Sequence, residues 1–317
     1  MNNLEIGGFI EFPSFKGRLY HDNALALNSA RNCLAYLIET KKIRKIALPK
    51  FLCASVEYVC KQANVQISYY SVGSNFMPRE LKTSEDEWLY LVNYYGQIGN
   101  REIERIKKNK DLLIVDNVQA YFQMPVKGVD TIYTCRKFFG VPDGAFLYTD
   151  SLIPRPLDRD QSANRMIHLL GRFEDTASKY YAVYIENEDA FETLPLRKMS
   201  KVTENLLRAI DYVYVRKRRE DNYRYLQDFF CDFNKLELKM PEGSFMYPLY
   251  ISNGYEIRKE LRKKKIYIPI LWPDVLNCCD ESELEYDMAK NILPLPCDQR
   301  YDLNTMNYIA EEVKRYL

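Results

Sequence analysis

Three short stretches carry side chains whose types and positions could do chemistry. In TCRKFFGVPDGAFL (134–147) Lys137 follows a short apolar run, in LLIVDN (112–117) Asp116 ends another, and in LNSARNCL (27–34) Ser29, Ala30 and Arg31 open a segment of helical periodicity. A lysine amine attacks carbonyl carbon, the more so when burial lowers its pKa. A carboxylate at the end of an apolar strand is half-buried and needs a partner. The first N–H groups of a helix, with the helix dipole behind them, favour an anion such as phosphate. Amine, carboxylate and anion cradle complement the aldehyde, ring nitrogen and phosphate of pyridoxal 5′-phosphate (PLP). Taken singly each also has a structural reading: a solvated loop lysine, a helix or turn cap, an ordinary N-cap.

To converge, these residues must lie at the carboxyl ends of neighbouring parallel strands, where α/β sheets collect ligands. The pattern along the chain supports such a sheet. SARNCLAYLIETKK places Cys33, Leu34, Leu37 and Ile38 on one helix face, with Asn28 or Ser29 as N-cap. ASVEYVCKQA and REIERIKKNK read as further helices, and KIALP, VQISYYSV, EWLYLVNYYG, DLLIVDN, TIYTC and GAFLYTD as strands. Strands alternating with helices predict an α/β fold, a mostly parallel sheet flanked by helices. After Asp150 the pattern turns to long helices, at 159–190 and again over KVTENLLRAIDYVYVRKRREDNYRYLQDFF (201–230), the latter a connector. FMYPLYIS and IYIPILWP read as strands, with a helix at 255–264 and a terminal one near 303–317. We expect a large α/β domain over 1–199, beginning with an N-terminal arm over 1–20, and a small C-terminal α+β domain over 200–317.

Composition narrows the function classes. With 317 residues, 47% hydrophobic and 28% charged, the chain is an ordinary globular protein with room for one large or two smaller domains. Lys+Arg of 45 against Asp+Glu of 44 leaves +1, so no strong field recruits nucleic acid or an acidic membrane surface. No stretch approaches the ~20 apolar residues of a membrane span. The eight cysteines form no CxxC pair, and MNNLEIGGFIEF lacks the basic and apolar runs of a secretion signal, so a cytoplasmic protein with reduced thiols is expected. Two histidines, His21 and His168, leave little material for a metal site or a Ser/His triad, and no metal is expected. The 26 tyrosines fit half-buried structural positions.

Through LNSARNCL, IALPKFLCASV, VNYYG, LLIVDNVQAYF and YTCRKFFGVPDGAFL, and more weakly through PILWP and LPLPCDQRY, the chain resembles the fold-type I nucleotide-sugar aminotransferases of the DegT/StrS type. That family makes amino-deoxysugars for polysaccharides and glycosylated metabolites. The resemblance implies a PLP enzyme, a homodimer, that moves an amino group from an amino acid such as glutamate to a keto-sugar on a nucleotide. It implies that Lys137 attaches the cofactor and acts as the general base, that Asp116 pairs with the ring nitrogen, and that Gln119 lies near the ring 3-oxygen. Ser29, Ala30 and Arg31 match the phosphate turn, and Thr134 a hydroxyl that reaches the phosphate. Cys53 stands where many members stack an aromatic ring on the cofactor. The family pattern also places Tyr95 near the site; Arg300 in DQRY is a further substrate candidate, for a donor carboxylate or a nucleotide phosphate, against the simpler reading of an exposed turn arginine. The family's dehydratase variants carry histidine in place of the lysine, so Lys137 favours transamination. Ala30 and Ala145 stand for usual glycines, and LPLRKMSKV stands where a partner-subunit asparagine motif belongs. Ala30, Cys53 and Ala145 support a second reading, a non-catalytic relative that binds or regulates. A third, a nucleotide-binding transferase without PLP, lacks the expected GxGxxG.

Overall fold

The structure, a computed structural model, describes residues 6–317, so the first five residues of the expected N-terminal arm lie outside the described residues. Strand β1 (Leu25–Leu27) leads through Asn28 and Ser29 into α1 (Ala30–Lys41). There follow β2 (Lys45–Pro49), α2 (Ala54–Gln62), β3 (Gln66–Val72), β4 (Pro78–Arg79), β5 (Trp88–Val92), α3 (Asn100–Asn109), β6 (Leu113–Asp116), β7 (Asp130–Thr134) and β8 (Ala145–Tyr148). They form one eight-stranded sheet in the order β1-β8-β7-β6-β5-β2-β3-β4. Pairing is parallel from β3 through β2, β5 and β6 to β7, and antiparallel at β4, β8 and β1. The apolar runs WLYLV, LIVD and DTIYT take the middle of the sheet because they can be buried on both faces.

The second half of the chain adds α4 (Ile167–Glu174), α5 (Tyr181–Ala190), α6 (Lys201–Leu207), α7 (Tyr212–Phe230), β9 (Met246–Tyr250), α8 (Gly254–Lys263), α9 (Val275–Cys278), α10 (Leu284–Asn291), β10 (Ile292–Pro296) and α11 (Leu303–Lys314). Three expectations are corrected here. The pattern over 159–190 is two short helices, interrupted where Asp175 turns extended and accepts from the Thr176 N–H at 2.7 Å. The helix expected over 201–230 is split, because Asp211 accepts from the Tyr214 N–H at 3.0 Å and so caps a new helix instead of continuing the old one. IYIPILWP buries Ile266, Ile268 and Trp272 but forms no strand; Pro269 has no N–H to give a ladder. The partner of β9 is instead ILPLP, with Pro248 opposite Pro294, a pairing in which neither proline has to donate.

Two buried clusters result. The larger packs around the eight-stranded sheet; the smaller, including Leu226, Phe230, Leu249, Leu261, Leu293, Met306 and Ile309, lies among α7, α8, α11 and the β9–β10 pair. Several tyrosines are more deeply placed than half-buried: Tyr94, Tyr95, Tyr121, Tyr133, Tyr223 and Tyr247 are enclosed. Among them sits His21, whose Nε2 lies 2.8 Å from the Tyr121 carbonyl oxygen and Nδ1 3.1 Å from the Tyr148 hydroxyl.

Candidate active site

Strands β5, β6 and β7 run side by side with Val92, Asp116 and Ile132 in register, so Asp116 stands at the carboxyl end of β6 and Lys137 in the turn just past β7. Asp116 is only 4% exposed. Its Oδ1 accepts from the Val118 N–H at 2.9 Å, the turn-cap bond expected of an Asx residue, and its Oδ2 accepts from the Tyr90 hydroxyl at 2.8 Å. A carboxylate has about four lone-pair sites, so both oxygens retain acceptor capacity. Burial raises the Asp116 pKa, against the pull of Lys137 and of the two hydrogen bonds. Lys137 is exposed to solvent, with protein packed closely around it. That surrounding lowers its pKa, with Asp116 and Cys53 acting to raise it and Arg136 to lower it further. The Phe245 ring centre lies 5.5 Å from its Nζ. Amine and carboxylate thus act on one another across adjacent strand ends.

Ser29 caps α1, its Oγ accepting from the Asn32 N–H at 3.2 Å and its carbonyl from the Cys33 N–H at 3.0 Å. Those bonds leave the first-turn N–H groups of Ala30 and Arg31 without an acceptor among the described residues. Arg31 likewise has no ion-pair partner among them. The N-cap reading and the anion-cradle reading of Ser29 are therefore compatible. Asn28 and Asn32 fasten the turn by donating to the Pro195 carbonyl at 3.0 and 2.9 Å. A two-bond chain ties it to the lysine turn: the Gly144 N–H donates to the Asn28 carbonyl at 2.8 Å, and the Cys135 N–H to the Gly144 carbonyl at 3.0 Å. Gly144 has φ +110, and a Cβ there would lie 2.8 Å from the Thr203 methyl. Ala30 opens α1 without a positive φ, so the backbone itself does not call for glycine there.

The other expected residues are distributed less evenly. Thr134 ends β7, buried opposite Ala145 in β8. Cys53 precedes α2 with its Sγ exposed, 3.1 Å from Ser55 Oγ, and reaches Lys137 electrostatically. Gln119 is buried and spends its Oε1 on the Tyr95 N–H at 2.8 Å, supporting a residue held at φ +53. The Tyr95 ring is enclosed beside Phe76 and Trp272, so it is a core side chain. Arg300 is already engaged, Nε and Nη2 lying 2.7 and 2.8 Å from the two Asp298 oxygens. Arg136 pairs with Glu188 of α5 and stacks on Phe191; burial lowers its pKa to about 10. Tyr90, the partner of Asp116, went unnoticed in the sequence, although a hydroxyl two residues from the end of a continuous apolar strand is a usable signal.

No protein-family profile matches the chain, and no protein with a curated description is similar to it in sequence. Solved structures are similar in shape. A DegT/DnrJ/EryC1/StrS aminotransferase from Brucella abortus superposes with a TM-score of 0.64 at 13% identity, over 92% of this chain and 85% of that one. PseC of Helicobacter pylori, an aminotransferase involved in pseudoaminic acid biosynthesis, gives 0.61 at 14%, over 92% and 86%. NtdA of Bacillus subtilis, solved with bound cofactor PMP, gives 0.66 at 11%, over 95% and 78%. The chain has the fold of these aminotransferases, a mostly parallel sheet flanked by helices.

Proposed function

We propose that the protein is a PLP-dependent aminotransferase that transfers an amino group, from glutamate, to a keto-deoxysugar carried on a nucleotide. The observation that carries this reading is the placement of Asp116 at the end of β6 and of Lys137 in the turn just past the neighbouring β7. The donor set fits the cofactor: a buried carboxylate with spare acceptor capacity, a partly desolvated amine, and a helix start whose first two N–H groups and arginine have no partner among the described residues. When bound, PLP supplies an electron sink for negative charge at the substrate carbon. Lys137 Nζ would hold the cofactor aldehyde and carry the proton between substrate and cofactor carbons. Asp116 would keep a proton on the ring nitrogen. The Ala30 and Arg31 N–H groups, with the Ser29 and Thr134 hydroxyls, would hold the phosphate, Gln119 would approach the 3-oxygen, and Cys53 would pack against the ring.

A cytoplasmic homodimer belongs to the same reading. No helix among the described residues is long and apolar enough to cross a membrane, and all eight cysteines are free. Ile167, Leu170, Phe173 and Tyr181 stand exposed on α4 and α5, Phe173 at 92%, an apolar surface that a second subunit would cover.

The test is reconstitution with PLP, followed by an absorption spectrum with and without glutamate. A visible band that glutamate shifts, and a pyridoxyl group found on Lys137 after borohydride reduction, are expected. A colourless protein would favour the non-catalytic binding protein, to which the small Cys53 side chain lends support. A label on another lysine would overturn the site.

A further inference from the structure

Among the described residues Arg219 of α7 is the largest fully enclosed side chain, at 1% exposure. Burying a guanidinium is costly unless its nitrogens find acceptors. Here Nε donates to Gln299 Oε1 at 2.8 Å, Nη1 to the Ser244 carbonyl at 2.8 Å, and Nη2 to the Phe138 carbonyl at 3.1 Å, with the Phe138 ring 4.6 Å from its centre. Gln299 closes the ring: its Nε2 donates to the same Phe138 carbonyl at 2.8 Å. Phe138 is the residue after Lys137. Ser244 precedes Phe245, whose ring stands beside the Lys137 amine and whose carbonyl also lies 3.4 Å from Arg219 Nη1.

We propose that Arg219 and Gln299 are a positioning pair for Lys137, holding its backbone through the Phe138 carbonyl and its aromatic neighbour through Ser244 and Phe245. The proposal deepens the aminotransferase reading and rests on it for the role of Lys137. Both flanks of the lysine are thereby referred to one rigid planar fork supplied from outside the sheet. Neither residue touches the amine. In DQRY the residue that reaches toward the lysine is therefore Gln299, while Arg300 is tied to Asp298.

The groups that set the Lys137 charge state are Asp116 from β6, Cys53 at the start of α2 and Arg136 in its own turn. Displacing the turn moves the amine relative to all three and to the protein packed around it, which shifts its titration toward that of an ordinary lysine. The full-length chain without cofactor is labelled with trinitrobenzenesulfonate from pH 6 to 11, and Lys137 is quantified by peptide mass spectrometry. Gln299→Met keeps length and neutrality but loses both hydrogen bonds; Arg219→Lys keeps the charge but loses the fork. Neither changes the net charge, so a shifted midpoint reports displacement. We expect both variants to raise the Lys137 midpoint, so that less of the amine is neutral and labelled at pH 8 than in the wild type. Folding is checked by circular dichroism, and if Arg219→Lys does not fold, Gln299→Met decides alone. A wild-type midpoint in folded Gln299→Met, even with a lower melting temperature, would make the pair mere structural glue and overturn the proposal. Failure of the wild-type chain to take up PLP would overturn the aminotransferase reading separately, since the labelling comparison involves no cofactor.

Discussion

Acid should loosen this protein well before its carboxylates protonate, and His21 is the reason. A carbonyl only accepts, so the 2.8 Å contact with the Tyr121 oxygen places the hydrogen on Nε2, and Nδ1 is left to accept from the Tyr148 hydroxyl. The neutral ring is thus fully satisfied, and burial lowers its pKa from 6.5 to about 4. Because the folded pKa is depressed, the unfolded chain binds the proton first, and stability falls as pH drops from the unfolded value through the folded one. Linkage with those two values gives a penalty of about 0.2 kcal/mol at pH 7 and about 2 kcal/mol at pH 5. The assay is urea unfolding followed by circular dichroism at both pH values, for the wild type and His21→Gln, which keeps a donor and an acceptor. The wild type should lose about 2 kcal/mol more than the variant between pH 7 and pH 5. His168, also shifted down by burial and by Arg136, and Asp116, shifted up, are common to both proteins and cancel in the difference. Parallel losses in the two proteins, or an NMR titration of His21 near 6.5, would refute the argument.

Asp116→Asn should keep the fold, since Asn can still accept from Val118 and meet the Tyr90 hydroxyl, yet lower amino transfer by about a hundredfold or more in a coupled 2-oxoglutarate assay. An unchanged rate would reduce Asp116 to its turn-cap role. Gly144→Ala forces a Cβ toward Thr203 at a backbone angle that disfavours one, and should destabilise by roughly 1–3 kcal/mol in thermal melts. PLP affinity should fall with it, because Gly144 joins the α1 start to the lysine turn. Sedimentation velocity should find a dimer, and Phe173→Glu a monomer; a wild-type monomer with PLP bound would remove the dimer from the proposal.

The central strands were legible because their burial on both faces writes continuous apolar runs, and the carboxyl ends of those runs named Asp116 and Lys137 directly. Ser29 was legible because an N-cap has a local chemical signature. What escaped has non-local causes. LAL at 25–27 is too short for periodicity to mark, and becomes β1 only because β8 and the Met199 N–H are there to pair with it. Tyr95 looked like a site residue, but its ring is drawn into the Phe76–Trp272 contact by residues distant in the chain. Arg219 sat unremarked in a charged helix, because nothing in YVYVRKRRED distinguishes the one arginine that turns inward.

The placement of β1 bears on the order in which the protein assembles. The lysine turn sits in a hairpin, β7 to β8, whose ends are close in sequence and can meet early. The proposed anion cradle depends on β1 pairing Leu25 with Leu147, and on Asn28 and Asn32 finding Pro195, closures across more than a hundred residues. A refolding chain should therefore present its amine before it has anywhere to hold a phosphate. Inorganic phosphate, by binding only the closed cradle, should favour the final state without hastening the hairpin, a separation that stopped-flow refolding with and without phosphate would resolve. A chain begun after β1 should keep the lysine hairpin and lose the cradle, leaving a reactive amine without the selectivity that the rest of the sheet confers.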